Sequence, residues 1–450
     1  MYQEFSNLID YLKGKRILIA GFGREGKSSL RFLLKHVPDA VITVGDAKDF
    51  EFEGEFAGIN VYKVFGEAYF GDPDDFDLML KTPGISLKQV PQKWIQSEKI
   101  TSQTGLLLSF FGHKVVGVTG TKGKSTTTTL IHHLLVSNGM KAVLAGNMGL
   151  PFFDEIEDAE RKMIVAELSC HQLETVYSSP SISVLLNIFP EHLDHYASFQ
   201  AYAHTKWNIG LYQKWGGRLF IPADWLGKEW MEYQKQCSGQ ITGFDAAGDE
   251  IIFEFDETHY SEKIDLARNP LQGIHNLKNC AAALGAAVEA GIELSDAINS
   301  LYTFKPLPHR MEFVREVNGV KYINDSISTI PQSAIAALKA FPMTETIILG
   351  GFNRGIDYSE LIDFLLMKDD LNLVLMGDVG AVIANEIEKQ KSNIRIFHAG
   401  EMSDAVRIAS ENTHPGRICL LSPAAASYDK YINFEYRGND FRKCVEALPQ

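Results

Sequence analysis

Residues 114–139 read KVVGVTGTKGKSTTTTLIHHLLVSNG, an apolar run, a glycine-bearing turn and then a segment with helical periodicity. Strand, loop and helix in that order frame a phosphate-binding loop, where backbone N–H groups and the positive end of the helix dipole surround an anion. Within the turn Gly120-Thr121-Lys122-Gly123-Lys124-Ser125-Thr126, Lys124 is placed to reach β- and γ-phosphates, and Ser125 or Thr126 to meet Mg²⁺. Two residues separate Gly120 from Gly123 where the general pattern has four, so this is a variant nucleoside-triphosphate loop. The plain alternative, a glycine turn with a solvated lysine, does not account for the strand before it and the helix after it.

The alternation continues on both sides. Upstream lie RILIAGFG (16–23), the helical SSLRFLLKH (28–36), AVITVGD (40–46), INVYKVFG (59–66) and DLMLKTPGI (77–85). Downstream, AVLAG, MIVAELS, SVLLNI and RLFIP are further strand candidates. After the helical HNLKNCAAALGAAVEAG (275–291) and FKPLPHR (304–310) comes a third set: KYINDS, TIILGG, LNLVLMG, IRIFHAG and RICLLSP. Short strands between helix-period segments predict α/β architecture with parallel, doubly wound sheets. With roughly 100–200 residues per domain, the 450 residues divide into three parts: 1–102, 103–306 and 307–450. The first and last are Rossmann-like, and the middle one is a P-loop ATPase-like domain.

Composition narrows the function classes. A net charge of −14 with no long basic run argues against a nucleic-acid partner, since phosphate backbones need clustered Lys and Arg. No stretch approaches the ~18 uncharged apolar residues of a membrane span. The opening MYQEFSNLIDYLKGKRILIAGFG carries acidic residues ahead of a short apolar run and no small-residue cleavage site, so a cytoplasmic location is expected. Five scattered cysteines without a C-x-x-C pair fit reduced thiols rather than a disulfide framework or a zinc site. No protein partner is implied, and a monomer is expected.

A second glycine motif, Gly21-Phe22-Gly23-Arg24-Glu25-Gly26, also joins strand to helix, with Asp46 twenty residues past Gly26. Alone it is a dinucleotide fingerprint whose acidic residue suits a ribose hydroxyl, which keeps an NAD-dependent oxidoreductase open; a structural tight turn is the other reading. Beside the triphosphate loop, it fits a second phosphate-bearing ligand. Further along, Glu167 in VAELSCHQLE, His192 in NIFPEHLDHY and Lys206 in YAHTKWNI are polar positions in apolar surroundings. Each alone reads as a satisfied structural residue. Together, downstream of a triphosphate loop, they suit Mg²⁺ ligands or the groups behind them. Asp194 and His195 read equally as capping or surface groups and are given no catalytic role.

These residues, with Gly273-Ile-His-Asn276-Leu-Lys-Asn279, Leu307-Pro-His309-Arg310, Asn324-Asp325-Ser326 and Leu421-Ser-Pro-Ala in the same order, resemble the Mur ligases over residues 15 to 441. The layout is similar to the branch that adds glutamate to UDP-N-acetylmuramoyl-L-alanine in peptidoglycan precursor synthesis. The resemblance implies an ATP- and Mg²⁺-dependent ligase acting through an acyl phosphate, with the third part closing on ATP. It implies that Gly21, Gly23, Arg24, Glu25, Asp46, Thr82, Gly84 and Asn147 hold the UDP substrate. Gly120 to Thr126 with Asn276, Asn279, Arg310 and Asp325 hold ATP, and Ser125, Glu167, His192 and Lys206 take the metal, Lys206 as a carbamate. Lys124, Glu167, His192 and Lys206 are the catalytic set, and Thr329, Arg354, Ser427 and Phe434 would hold the incoming glutamate.

Two motifs depart from that pattern. Glutamate-adding members commonly carry Asp-Ser-Lys-Ala-Thr-Asn where this chain has Asp325-Ser-Ile-Ser-Thr-Ile330, and a lysine where it has Arg354. Arginine is no simple substitute, since its planar fork grips a carboxylate from another direction. D-glutamate is the family default; GFGREG, NDSIST and GFNRGID are also similar to a branch that adds L-glutamate. Folylpolyglutamate synthase shares the loop and carbamate logic, but over a hundred residues precede the loop here. A nucleotide-binding regulator without turnover is a further alternative, which the intact Lys124, Ser125, Glu167, His192 and Lys206 oppose.

Overall fold

A computed structural model describes residues 3–146, 151–159, 161–191, 195–214, 216–255, 258–368, 370–390 and 394–449. The chain forms three sheets in two compact units, Met1–Asn269 with His275–Phe304, and Pro270–Ile274 with Lys305–Gln450.

The first unit holds two sheets. Strands β1 (Arg16–Ala20), β2 (Val41–Asp46), β3 (Tyr62–Phe65), β4 (Leu78–Lys81) and β5 (Ile100–Thr101) pair in the order β3-β2-β1-β4-β5, all parallel. Parallel strands with both faces covered must be apolar throughout, and RILIA and LMLK are buried along nearly their whole length. The order reverses at β1, so the loops leaving β1 and β4 open a crevice at the carboxyl edge of the sheet.

The second sheet takes β6 (Val115–Thr119), β7 (Ala142–Gly146), β8 (Met163–Glu167), β9 (Ile182–Leu185), β10 (Arg218–Pro222), β11 (Gln240–Ala247), β12 (Glu250–Phe255) and β13 (Thr258–Lys263). Its order is β13-β12-β11-β10-β9-β6-β8-β7. The strands from β7 to β11 run parallel, and β12 and β13 add an antiparallel edge. Strand β13 is exposed along nearly its whole length and carries Glu262 and Lys263, charges that discourage further pairing. Residues 1–102 and 103–306, separated in the sequence reading, share a hydrophobic core in this unit. Phe32 stacks on Phe153 at 4.1 Å between ring centroids, and Phe111 meets Phe152 edge-on at 5.4 Å.

The second unit holds β14 (Glu312–Val317), β15 (Val320–Asn324), β16 (Thr344–Gly350), β17 (Asn372–Met376), β18 (Arg395–His398) and β19 (Ile418–Leu421), ordered β14-β15-β19-β16-β17-β18. All pairs but β14-β15 are parallel, and apolar clusters cover both faces. The α/β class read from sequence holds in all three sheets. The antiparallel β14-β15 hairpin departs from the parallel sheets expected from the sequence. Its signal was the Asn318-Gly319 pair, whose φ values of 52° and 78° form a tight turn compatible with strand twist.

Candidate active site

Strands β9, β6 and β8 are neighbours, so their carboxyl ends lie side by side: Val118 pairs with Glu167, and Thr119 with Leu185. Everything that follows those ends is brought together by the register alone. After β6 comes the Gly120–Ser125 turn and the helix Lys124–Ser137, whose N-cap, Gly123, offers no side-chain hydrogen bond to the first turn. The leading N–H groups of that helix are therefore left for an anion. Gly123 has φ 86°, and a Cβ there would stand 2.6 Å from Asn279 Oδ1. Only glycine allows both the left-handed turn and the approach of Asn279, whose Nδ2 donates to Asn276 Oδ1 at 3.3 Å.

The turn is braced from β9. Asn187 Oδ1 accepts from the N–H groups of Thr121 (3.0 Å) and Lys122 (2.8 Å), while its Nδ2 donates to the Lys122 carbonyl at 3.0 Å. Thr121 Oγ1 accepts from Phe189 N and lies 2.9 Å from the Tyr202 hydroxyl. Asn187 is not among the site residues expected from the sequence. Its signal is a polar side chain just past an apolar strand at the carboxyl edge of a parallel sheet.

Lys124 folds back on the loop and donates to the Gly120 and Thr121 carbonyls, 3.0 Å each. Lys206, on the buried helix Phe199–Leu211, donates to the same Gly120 carbonyl at 2.8 Å. Burial, and then the charge of Lys124, pull the Lys206 amine down to about 7, so near neutral pH much of it is the free base. Lys124 is also lowered by burial, with Glu167 the leading opposing charge. Glu167 ends β8 and is buried. His192 and Asn147 lie outside the described residues.

The loop after β1 is tied in three ways. Asp46, at the end of β2, accepts from Phe22 N at 2.8 Å and Lys48 N at 3.0 Å. A Cβ on Gly21 would come 2.1 Å from Thr82 Oγ1, and one on Gly26 would come 2.0 Å from the Gly21 carbonyl, so both glycines are required by close packing. Thr82 donates through both its N–H and its hydroxyl to the Ala20 carbonyl. Gly23 is exposed with open space where a Cβ would stand, and Arg24 is exposed beside it. Glu25 is half-buried, accepts from Gln172 Nε2 at 2.9 Å and is raised above the usual carboxylate range chiefly by burial. Gly84 lies exposed in the Thr82–Ile85 turn, with open space where a Cβ would stand.

In the second unit, Asp325 follows β15 fully enclosed. It accepts from Ser328 Oγ (2.5 Å), Ser422 Oγ (2.8 Å) and Met311 N (3.1 Å). Burial outweighs these bonds and the nearby Arg310 and lifts its carboxyl to about 6. Arg354 is exposed and donates to the Thr329 carbonyl at 2.9 Å. Ser427 is buried, and Phe434 opens the helix Phe434–Glu446 under the Asn433 cap.

The chain matches the Mur ligase middle domain over residues 118–287 and the Mur ligase glutamate ligase domain over 309–425. It is 34% identical over 475 residues to the UDP-N-acetylmuramoylalanine--D-glutamate ligase of Clostridium botulinum (strain 657 / Type Ba4), covering 100% of both chains. Its fold resembles that of the MurF ligase from Thermotoga maritima in complex with ADP, at TM-score 0.56 and 18% identity over 97% of this chain and 96% of the other. It also resembles the UDP-N-acetylmuramate-alanine ligase MurC of the same organism, at TM-score 0.54 and 16% identity over 96% and 99%.

Proposed function

We propose, since the chain belongs to the Mur ligase family of ATP-dependent ligases, that it joins D-glutamate to the terminal carboxylate of UDP-N-acetylmuramoyl-L-alanine in cytoplasmic peptidoglycan precursor synthesis. The clostridial relative named for that substrate pair, similar along the full length, supports the choice of substrates. The observation that carries the chemistry is the convergence of Lys124 and Lys206 on the Gly120 carbonyl, at the mouth of an uncapped helix N-terminus.

The loop N–H groups and Lys124 hold the ATP phosphates, with Asn276 and Asn279 beside the loop; Arg310 and Asp325 are assigned to ATP by the family resemblance alone. One oxygen of the substrate carboxylate attacks the γ-phosphorus, the bond to the β,γ-bridging oxygen breaks, and ADP leaves behind an acyl phosphate. Lys124 offsets the repulsion between the two anions and the charge spread over the transferring group. The neutral amine of glutamate, held by Thr329, Arg354, Ser427 and Phe434, then attacks the acyl carbonyl, and phosphate departs with the proton the amine loses as the amide forms. The described residues around the loop fit a hard divalent cation: a hydroxyl at Ser125, a buried carboxylate at Glu167 and an amine at Lys206 whose low proton affinity lets it add CO₂ and become an anionic oxygen donor; the family resemblance adds His192 to this set. Bound there, Mg²⁺ would neutralise phosphate charge. Gly21, Gly23, Arg24, Glu25, Asp46, Thr82, Gly84 and Asn147 hold the uridine nucleotide.

Mixing the protein with Mg-ATP, UDP-N-acetylmuramoyl-L-alanine and either D- or L-glutamate, then measuring phosphate, tests this reading. Release with D-glutamate is expected. Release with L-glutamate alone overturns the choice of enantiomer, and release with neither overturns the substrate pair.

A further inference from the structure

Lys81 is a lysine where a lysine is costly. It ends β4 with its side chain 1% exposed, and burial lowers its proton affinity. Its Nζ donates to the Ile85 carbonyl at 2.7 Å and reaches that of Thr82 at 3.4 Å, so it sits inside the Thr82–Ile85 turn. The same Nζ meets Glu174 Oε2 at 3.1 Å, and Glu174 Oε1 lies 3.1 Å from His195 Nε2. Glu174 caps the short helix Cys170–Leu173 that follows Glu167, with its side chain 8% exposed, and His195 is 13% exposed. Two further bonds run alongside: Gln172 donates to Glu25, and Ser86 Oγ donates to the His195 carbonyl at 3.4 Å. These links join the loops of the first sheet to the segments that follow β8 and β9 of the second. Hydrophobic residues of similar volume often fill such a space at no cost in stability, so a buried ion pair is weak evidence of a purely stabilising role.

We infer that Lys81, Glu174 and His195 are positioning residues, an ion-paired strut that sets the Thr82–Ile85 turn against the loops around the ATP phosphates and so fixes where the sugar-nucleotide carboxylate is presented to phosphoryl transfer. The inference rests on the reading of the first sheet as the uridine-nucleotide holder. The turn is the lever: through Thr82 it touches the Gly21 loop, and through Lys81 it is tied to Glu174. Misplacing one reactant by an ångström slows a reaction between bound partners without altering how the other binds.

The test is the Lys81→Met/Glu174→Met double variant, which removes both charges together and leaves neither stranded. Phosphate release by the wild-type enzyme is the control for the substrate assignment, independent of the strut. In the double variant we expect KM for the UDP substrate to rise about tenfold and kcat to fall about tenfold, with ADP affinity by calorimetry unchanged. A folded variant with both constants unaltered overturns the proposal, as does a parallel loss of ADP and UDP-substrate binding, which marks a structural role alone. Should the double variant not fold, Glu174→Gln, which keeps shape and removes charge, is read by the same split.

Discussion

Two lysines share one carbonyl oxygen at the heart of this site; burial lowers both, and their different roles follow from the charge beside each. Lys124 stands at the loop, half-buried, where the charge of Glu167 opposes the effect of burial, and is suited to hold phosphate as a cation. Lys206 is enclosed, lies beside Lys124 and gives up its proton near pH 7, which suits a nucleophile toward CO₂. Lys206→Ala is therefore expected to lose about 100-fold or more in turnover and to regain part of it with added formate or acetate; an unimpaired variant would remove Lys206 from the chemistry. In the second unit, Asp325 has the opposite problem, an anion among neutral hydroxyls. Lifting its carboxyl from 3.8 to about 6 costs about 3 kcal/mol when it is ionised. Between those pH values the folded chain keeps a proton that the unfolded chain has lost, so the contribution to stability falls as pH rises through the window, and the full penalty stands above 6. Asp325→Asn should raise the urea midpoint at pH 7.5, with the gain fading from pH 6 to pH 4; a gain that does not vary with pH would show that the carboxyl is not charged there.

At the level of the element, the triphosphate turn is a strand–loop–helix unit whose conformation is held by glycine and by a neighbouring strand. Gly123→Ala combines a left-handed φ of 86° with a Cβ 2.6 Å from Asn279 Oδ1, a strain of about 1–3 kcal/mol before the clash is counted. ADP affinity, measured by calorimetry, should fall at least about tenfold, while UDP binding at the first sheet is kept; unchanged ADP affinity would mean the loop does not hold the phosphates. Much of this scale could be read along the chain. The apolar runs RILIA and VVGVT, the glycine turns and the helix-period segments predict β1, β6 and the helices after them. What escaped was the pairing of short or exposed strands: β13 has no apolar alternation, and β14 is recognisable only through the Asn318-Gly319 turn.

Across the whole molecule, five thiols lie apart from one another, with Cys170, Cys280 and Cys419 buried and Cys237 and Cys444 half-buried. Burial pushes Cys237 up to about 11 and Cys280 up to about 12, so thiolate is scarce at pH 8. A thiol reagent should count five groups in the unfolded protein, with or without prior reduction, and react slowly with the native one; fewer than five without reductant would reveal a disulfide. No described helix is long and apolar enough to cross a membrane. The class of chemistry was written in consecutive residues, because a strand, a glycine turn and a helix with Lys124 are neighbours in the chain and carry their geometry locally. The partners of that loop were not. Lys206, 86 residues from Gly120, reaches its carbonyl because β9, β6 and β8 lie side by side, and Lys81 finds Glu174 and His195 because two sheets pack through one core. Packing selects such pairs by burying them, and no spacing along the chain encodes it.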